Sequence, residues 1–407
     1  MSGRSVAKVV EVLLGVTGSI AAYKSLELLR LFRSNGWNVT VILTRSAAKL
    51  IGIESFRALS GREVAIELFP GKRIPSGSIE HIDLATRPDL TVIAPATANI
   101  IGKLTHGIAD DLLSTILLAI PQEKVRAGRV IFAPAMNSNM WFNPVVQENV
   151  KQLSNRGYRF VYPESGELAC GVIGTGRMAP PDLIFQLCKI SLTPLPNLNG
   201  VSILITAGRT EEPLDPVRVF TNRATGLMGT EIAKVLMTAG ANTKLVAGEV
   251  AVPLPPGTIR VRTADEMAKT VLNLLPEVKI LIMCAAVADY QPVQTSQRKI
   301  HEPSLNIKLK KTKDILKLVS ESPHRPLIIG FSQDDTLTRA RKKLRDKKMD
   351  LIVANPINTA GAPDICPTII FASGKTHRFP KMSKSEFAVE LVKIIANLYY
   401  QQEKRSA

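Results

Sequence analysis

The chain has 407 residues, of which 45% are hydrophobic and 21% charged, with 52 Lys and Arg against 35 Asp and Glu for a net charge of +17. That length and balance exclude a disordered or fibrous polymer and predict two globular domains. No apolar run reaches the roughly 18 residues of a membrane span, and neither a basic run interleaved with aromatics nor an aromatic-rich surface is present to bind nucleic acid. The positive excess fits a solvated surface or sites for several phosphates equally well.

The opening "MSGRSVAKVVEVLLGV" places Arg4 and Lys8 ahead of an apolar patch, as a signal peptide does. Glu11 interrupts that patch and no small-residue cleavage site follows, so a buried first strand is expected. "VVEVLLGVTG" reads as that strand, "SIAAYKSLELLRLFRSNG" as an amphipathic helix closed by Gly36, and "WNVTVILT" as a second strand. Gly15, Thr17, Gly18 and Ser19 stand between strand and helix, where free N–H groups and the helix dipole suit a phosphate. A tight strand–helix turn would need the same glycines. The spacing is GxxGS, so the GxGxxG dinucleotide fingerprint is absent.

His81 lies in "SIEHIDLA", just before a strand expected from Leu90. "LTVIAPATAN" and "GRVIFAPAMN" are two further strands separated by an apolar helical stretch, Ile108–Ile120. Asn99, Asn137 and Asn139 follow those strands and could offer amides to a heterocycle or a carboxylate. The stretch "SGELACGVIGTGRMAPP" (165–181), carrying Cys170 and Arg177, fits neither a helix nor a strand. The four cysteines, Cys170, Cys188, Cys284 and Cys366, show no metal-ligand spacing, which predicts free thiols in a reducing compartment, the cytoplasm, and no protein-held metal.

Prolines and asparagines near "ISLTPLPNLNG" mark a linker, giving a first domain over 1–190, a linker over 191–199 and a second domain over 200–407. The pattern then restarts. "VSILITAG" is a strand, "GLMGTEIAKVLMTAG" a helix and "ANTKLVAG" a strand; "KILIMCAAVADY", "PLIIGF" and "MDLIVANP" supply three more. Between the first strand and its helix a long loop, expected to lack structure of its own, carries Asp215, Arg218, Asn222 and Arg223. "RARKKLRDKKMD" (339–350) reads from its pattern as the charged face of a helix. The last segment, from Lys384, is an amphipathic helix with a charged tail. Continuous apolar strands alternating with helices make both halves α/β, two doubly wound (Rossmann-like) domains with ligands at the carboxyl ends of their strands.

"GVTGSIAAYK", "HIDLA", "APATAN", "APAMNSNMW" and "ACGVIGTGRM" occur in the order found in FMN-dependent cysteine decarboxylases, which the first half resembles. The second half, through "EPLDPVRVFTN", "CAAVADY" and "RKIH", resembles the phosphopantothenate–cysteine ligases. Together nearly the whole chain is similar to the bifunctional enzymes of coenzyme A biosynthesis. For the first half the resemblance implies that FMN oxidises the cysteine thiol end of 4′-phosphopantothenoylcysteine. Carbon dioxide then leaves, and the enethiol is reduced to 4′-phosphopantetheine. His81 matches the active-site histidine, Asn137 the asparagine that binds the substrate carboxylate, and Cys170 the cysteine that supplies a proton. Gly18, Ser19 and Ile20 match the flavin phosphate loop. Thr44 and Asn99 are assigned to the flavin as well, and Met140 and Arg177 to the substrate.

For the second half the resemblance implies that 4′-phosphopantothenate attacks CTP, with Mg²⁺ bridging the phosphates, to give an acyl-cytidylate that cysteine then captures. Asn222 and Arg218 match the residues that handle this intermediate. Asp289, Ala285, Phe331, Lys343 and Lys347 match the nucleotide site, and Lys299 the ligase lysine. Three positions depart from the usual pattern: "ATGLMG" puts Leu227 where a lysine is usual, "GFSQDD" stands for "GFAAET", and "KIHE" for "KIKK". A homo-oligomer of trimeric flavin domains and dimeric ligase domains, up to a dodecamer, is implied, with no nucleic acid or membrane partner. A flavin prenyltransferase-like first domain would not require the Cys170 loop. A silent regulatory subunit should have lost His81, Asn137 or Cys170. A dehydrogenase is disfavoured because "GTGRMA" follows no strand and runs into Pro180 and Pro181.

Overall fold

The computed structural model describes residues 9–68, 80–167, 173–302, 304–334, 336–357, 362 and 364–406. It divides into two units, Met1–Asn199 with Thr238–Gly240, and Gly200–Met237 with Ala241–Ala407. Among the described residues no helix is long and apolar enough to cross a membrane.

In the first unit six parallel strands are β1 (Glu11–Val16), β2 (Asn38–Leu43), β3 (Val64–Ala65), β4 (Leu90–Ala96), β5 (Val130–Pro134) and β6 (Arg159–Phe160), in the order β3-β2-β1-β4-β5-β6. Side chains alternate across a strand, so Val12 and Leu14 join one core while Leu13 joins another. The helices Lys24–Ser34 and Pro181–Ser191 cover the first face through Leu28, Phe32, Ile184 and Cys188. Ala98–His106 and Leu112–Ala119 cover the second through Ile101, Leu104, Leu113 and Ile116. Both faces are covered, which is why β4 and β5 read as unbroken apolar runs.

Local chemistry adjusts three of the expected elements. The first strand, expected from Val9, begins at Glu11, which accepts a hydrogen bond from Asn38 Nδ2 at 2.6 Å and pairs with Arg62 at 3.0 Å. The stretch 108–120 is helical only over Leu112–Ala119, because Asp111 and Ser114 form a reciprocal capping box at its start. The stretch 165–181 does contain strand: β7 (Glu164–Glu167) and β8 (Ile173–Arg177) form an antiparallel ribbon, with the Ser165 and Thr175 hydroxyls 2.7 Å apart. Glycine lowers strand propensity without forbidding the pairing.

The second unit repeats the plan. Its strands are β9 (Ser202–Ala207), β10 (Glu211–Pro213), β11 (Val219–Thr221), β12 (Asn242–Ala247), β13 (Ile259–Arg260), β14 (Ile280–Met283), β15 (Tyr290–Pro292), β16 (Leu309–Lys311), β17 (Leu327–Gln333), β18 (Leu351–Asn355), β19 (Asp364–Ile365), β20 (Thr368–Phe371), β21 (Thr376–Arg378) and β22 (Met382–Ser383). Eight form one sheet, β13-β12-β9-β14-β17-β18-β20-β21, in which β20 and β21 are antiparallel additions that the apolar pattern does not announce. The segment 209–225, expected to lack structure, contains the β10–β11 ribbon, and β14 stops at Met283, leaving Cys284–Asp289 as a loop. In both units strand order reverses beside the first strand, between β1 and β4 and between β9 and β14, so the crevice for a ligand opens at those carboxyl ends.

Candidate active sites

At the switch point of the first unit, Thr17 is buried and its hydroxyl bridges two strand ends. It donates to the Pro95 carbonyl at 2.8 Å and accepts from the Thr97 N–H at 3.1 Å. Ser25 fastens the same segment from below, donating to the Ala94 carbonyl at 2.6 Å. The turn that follows β1 is pressed against the start of the helix Arg45–Leu50, because a Cβ on Gly18 would stand 2.4 Å from Ser46 Cβ. Ser19 and Thr44 cap the two helical starts, accepting from Ala21 N and Ala47 N. The N–H groups of Ile20 and Ser46 find no acceptor among the described residues. This donor set, beside hydroxyls and without a Cβ at position 18, fits a phosphate.

The other residues expected in this site follow the neighbouring strands. Asn99 is exposed in the first turn of the helix after β4. Asn137 ends the loop after β5, where its Oδ1 accepts from Asn139 N at 2.8 Å and caps the short helix Ser138–Trp141. Met140 is exposed on that helix. His81 is half-buried in the helix Glu80–Thr86, which leads into β4. The β7–β8 ribbon is fixed against the Asn137 turn: Met136 N donates to the Gly176 carbonyl at 3.0 Å, and a Cβ on Gly176 would lie 2.1 Å from the Met136 oxygen. Arg177 closes the ribbon by lying over Gly166, where a Cβ would meet its Nη1 at 2.6 Å. Cys170 lies outside the described residues.

The second unit holds a cavity of about 730 Å³. Asn222, Ala285, Asp289, Phe331, Lys343 and Lys347 all line it, whereas Lys299 and Arg218 do not. Its frame is again a threonine at the switch point. Thr206 is fully buried, and its hydroxyl accepts from Cys284 N and Ala285 N, both at 3.1 Å. Asn222 is drawn to the same loop, donating from Nδ2 to the Ala286 carbonyl at 2.9 Å.

Lys343, in the last turn of the helix Leu337–Asp346, and Lys347, which caps its end, differ in their bonding. Lys347 pairs with Asp314 at 2.8 Å. Lys343 donates to the Phe331 carbonyl at 3.0 Å. Burial lowers its pKa, and the Lys347 charge adds to that. Such an ammonium gains from an incoming anion.

Arg218 stands in a different arrangement. Its Nη1 donates to Asp215 at 2.6 Å and to the Ile300 carbonyl at 3.0 Å, while Ile300 N donates to Asp215 at 3.2 Å. This pair therefore fastens the segment that bears the exposed Lys299. Burial opposes the charge on Asp215, but N–H groups of Val217, Ile300 and Arg218 and the guanidinium together hold its carboxyl well below the ordinary range.

Sequence reading missed the run Lys311–Leu316, which lines the cavity, and the two buried threonines. The threonines had a signal: each is the first hydroxyl after an unbroken apolar run, in "LLGVTG" and "ILITAG".

A phosphate-ready turn on one doubly wound sheet and a lysine-lined cavity on another define a protein of two α/β units, each with its own site for an anionic ligand. Residues 3–192 match the family model described as flavoprotein, and residues 198–399 match the DNA/pantothenate metabolism flavoprotein C-terminal domain. The chain is 40% identical to the coenzyme A biosynthesis bifunctional protein CoaBC of Bacillus subtilis, across 97% of this chain and 98% of that protein. It is 38% identical to the protein of the same name from Vibrio vulnificus, across 95% and 98%, and 40% identical to that of Escherichia coli K12, across 86% of each. Among solved structures it is similar to the C-terminal domain of a CoaBC protein, with 36% identity, 50% of this chain and 98% of that one covered, and a TM-score of 0.45. It is also similar to the FMN binding protein AtHal3, with 31% identity, 45% and 96% covered, and a TM-score of 0.39. The chain belongs to the family of coenzyme A biosynthesis bifunctional proteins.

Proposed function

We propose that the two units catalyse consecutive reactions, ligation of 4′-phosphopantothenate to cysteine in the second and decarboxylation of the resulting 4′-phosphopantothenoylcysteine in the first. The observation that carries the reading is that each unit bears a polar site at its own switch point, one shaped for a phosphate and one lined with ammonium groups.

In the first unit Gly18, Ser19, Ile20 and Thr44 would hold the phosphate of FMN, and Asn99 its ring. When bound, FMN supplies the two-electron chemistry of the decarboxylation. The chain's own residues orient and protonate. Asn137, fixed by its own cap, presents its amide to the substrate carboxylate, with Met140 beside it. His81 takes part in proton transfer, Cys170 delivers a proton to the reduced carbon, and Arg177 braces the ribbon next to Asn137.

In the second unit the substrate nucleotide is CTP as its Mg²⁺ salt. Asp289, Ala285 and Phe331 meet the nucleoside, and Lys343 and Lys347 the phosphates. Asn222 would steady the acyl-cytidylate, and Lys299 would neutralise charge that builds on phosphate during attack. Arg218 acts through its clamp on Ile300, holding Lys299 in place. The reading extends to a homo-oligomer of these units in the cytoplasm.

Incubation of the full chain with 4′-phosphopantothenate, cysteine, CTP and Mg²⁺, followed by mass analysis, tests it. The expected result is a yellow protein that yields CMP, pyrophosphate and 4′-phosphopantetheine. A protein that takes up no FMN overturns the first half, and absence of CMP overturns the second.

A further inference from the structure

Lys384 is absent from every motif discussed above, yet it lines the cavity of the second unit and is 8% exposed. Its position is tightly set. The β22 strand that precedes it pairs with β19, Ile365 opposite Met382, and Ile365 lines the same cavity. Ser383 then caps the helix Lys384–Ser406 in a reciprocal box: Glu386 N donates to Ser383 Oγ at 3.2 Å, and Ser383 N donates to Glu386 Oε2 at 2.9 Å. Lys384 is therefore the first residue of a long helix, where the dipole disfavours a cation.

Burial is a second cost to this ammonium. No hydrogen bond or ion pair to its Nζ is found among the described residues. Cys284, the group that faces it electrostatically, has its thiol pushed up to about 12 by burial and so brings no charge. Glu231, which bonds the adjacent Ser385 at 2.7 Å, is already paired with Lys234 at 2.8 Å. Met283, also in the cavity wall, is apolar. A cation that is buried, set against the helix dipole and without a partner among the described residues gains from an anion that enters the cavity.

We propose that Lys384 is an anion-binding residue of this cavity, receiving an oxyanion of a bound substrate, either the polyphosphate of the nucleotide or the carboxylate of the amino acid. The proposal rests on the ligase reading of the second unit. The Lys384→Met variant keeps the length and the apolar stem while removing the charge, and Lys384→Arg restores a charge.

The test uses the full chain in two measurements. Thermal shift with inorganic pyrophosphate and, separately, with CTP and Mg²⁺ reads anion binding without turnover; steady-state ligation reads KM for CTP, 4′-phosphopantothenate and cysteine in turn. Without ligand, Lys384→Met should melt no lower than wild type, because an unpaired buried charge has gone. With ligand, KM for one anionic substrate should rise about tenfold or more, with partial recovery in Lys384→Arg. A KM rise for CTP with loss of the pyrophosphate shift identifies the polyphosphate; a rise for cysteine alone, with that shift intact, identifies the carboxylate. Unchanged KM values and shifts in Lys384→Met overturn the proposal, as does a lower melting point with all KM values unchanged, which marks a structural lysine. If wild type itself forms no CMP, the ligase reading fails instead.

Discussion

Thr206 holds together the part of the second unit where the cavity is built, and its replacement by valine isolates one atom's contribution. Valine has nearly the same volume, so no cavity is opened in the core, but the acceptor for Cys284 N and Ala285 N is lost. Each N–H left without a partner costs about 1–3 kcal/mol, while the added methyl returns about 0.8 kcal/mol. The net loss expected is about 1–5 kcal/mol. For a unit of this size that corresponds to a fall of about 2–20 °C in its melting transition. Calorimetry on the full chain should show the transition of the second unit falling while that of the first stays in place. Thr206→Ser, which keeps the hydroxyl, should recover most of the loss. Ligation should fall more than decarboxylation, because the released loop carries Ala285 and Asp289. A transition within about 0.5 kcal/mol of wild type, or a serine variant as weak as the valine one, would refute the clamp.

Two further perturbations probe the sites from other directions. Gly176→Ala forces a Cβ towards the Met136 oxygen and so displaces the ribbon from Asn137; decarboxylation should slow about tenfold with FMN absorbance and ligation retained, and an unchanged rate would mean that this approach is not needed. Asp215 has a depressed native pKa, so its ionised form stabilises the fold fully above the unfolded value of about 3.9 and the benefit is lost as pH falls through the native value. Asp215→Asn should therefore be less stable than wild type at pH 7, with the gap closing as the pH is lowered below about 4, and a gap independent of pH would contradict that assignment.

The central strands of both sheets, and the crevices at their carboxyl ends, follow from features that sequence displays well. Apolar runs such as "VIFAP" mark strands covered on both faces, whereas the cap of Asp111, which sets the helix start at Leu112 and not at Ile108, is legible there and the sequence reading missed it. Residues that act through long-range contact are less visible. Lys343 and Lys347 look like a solvated helix face in one dimension, and only the fold turns them to the cavity. Arg218 looks like a free cation until Asp215 and Ile300 are seen around it. The ribbon of β7 and β8 escapes notice because its glycines serve close approach to Met136 and Arg177, which no local pattern encodes.

The margins of the two sheets carry a consequence for folding. In the first unit both outer strands, β3 and β6, are two residues long; in the second they are β13, of two residues, and β21, of three. Two largely parallel sheets on one chain form at an effective concentration of about millimolar with respect to each other. Long open margins would invite one sheet to recruit a strand from the other. Strands this short present too few unpaired N–H and C=O groups to template such an exchange, and β21 adds His377 and Arg378 as a polar edge. Duplicating the same topology in one polypeptide is thereby made compatible with each half finding its own partners.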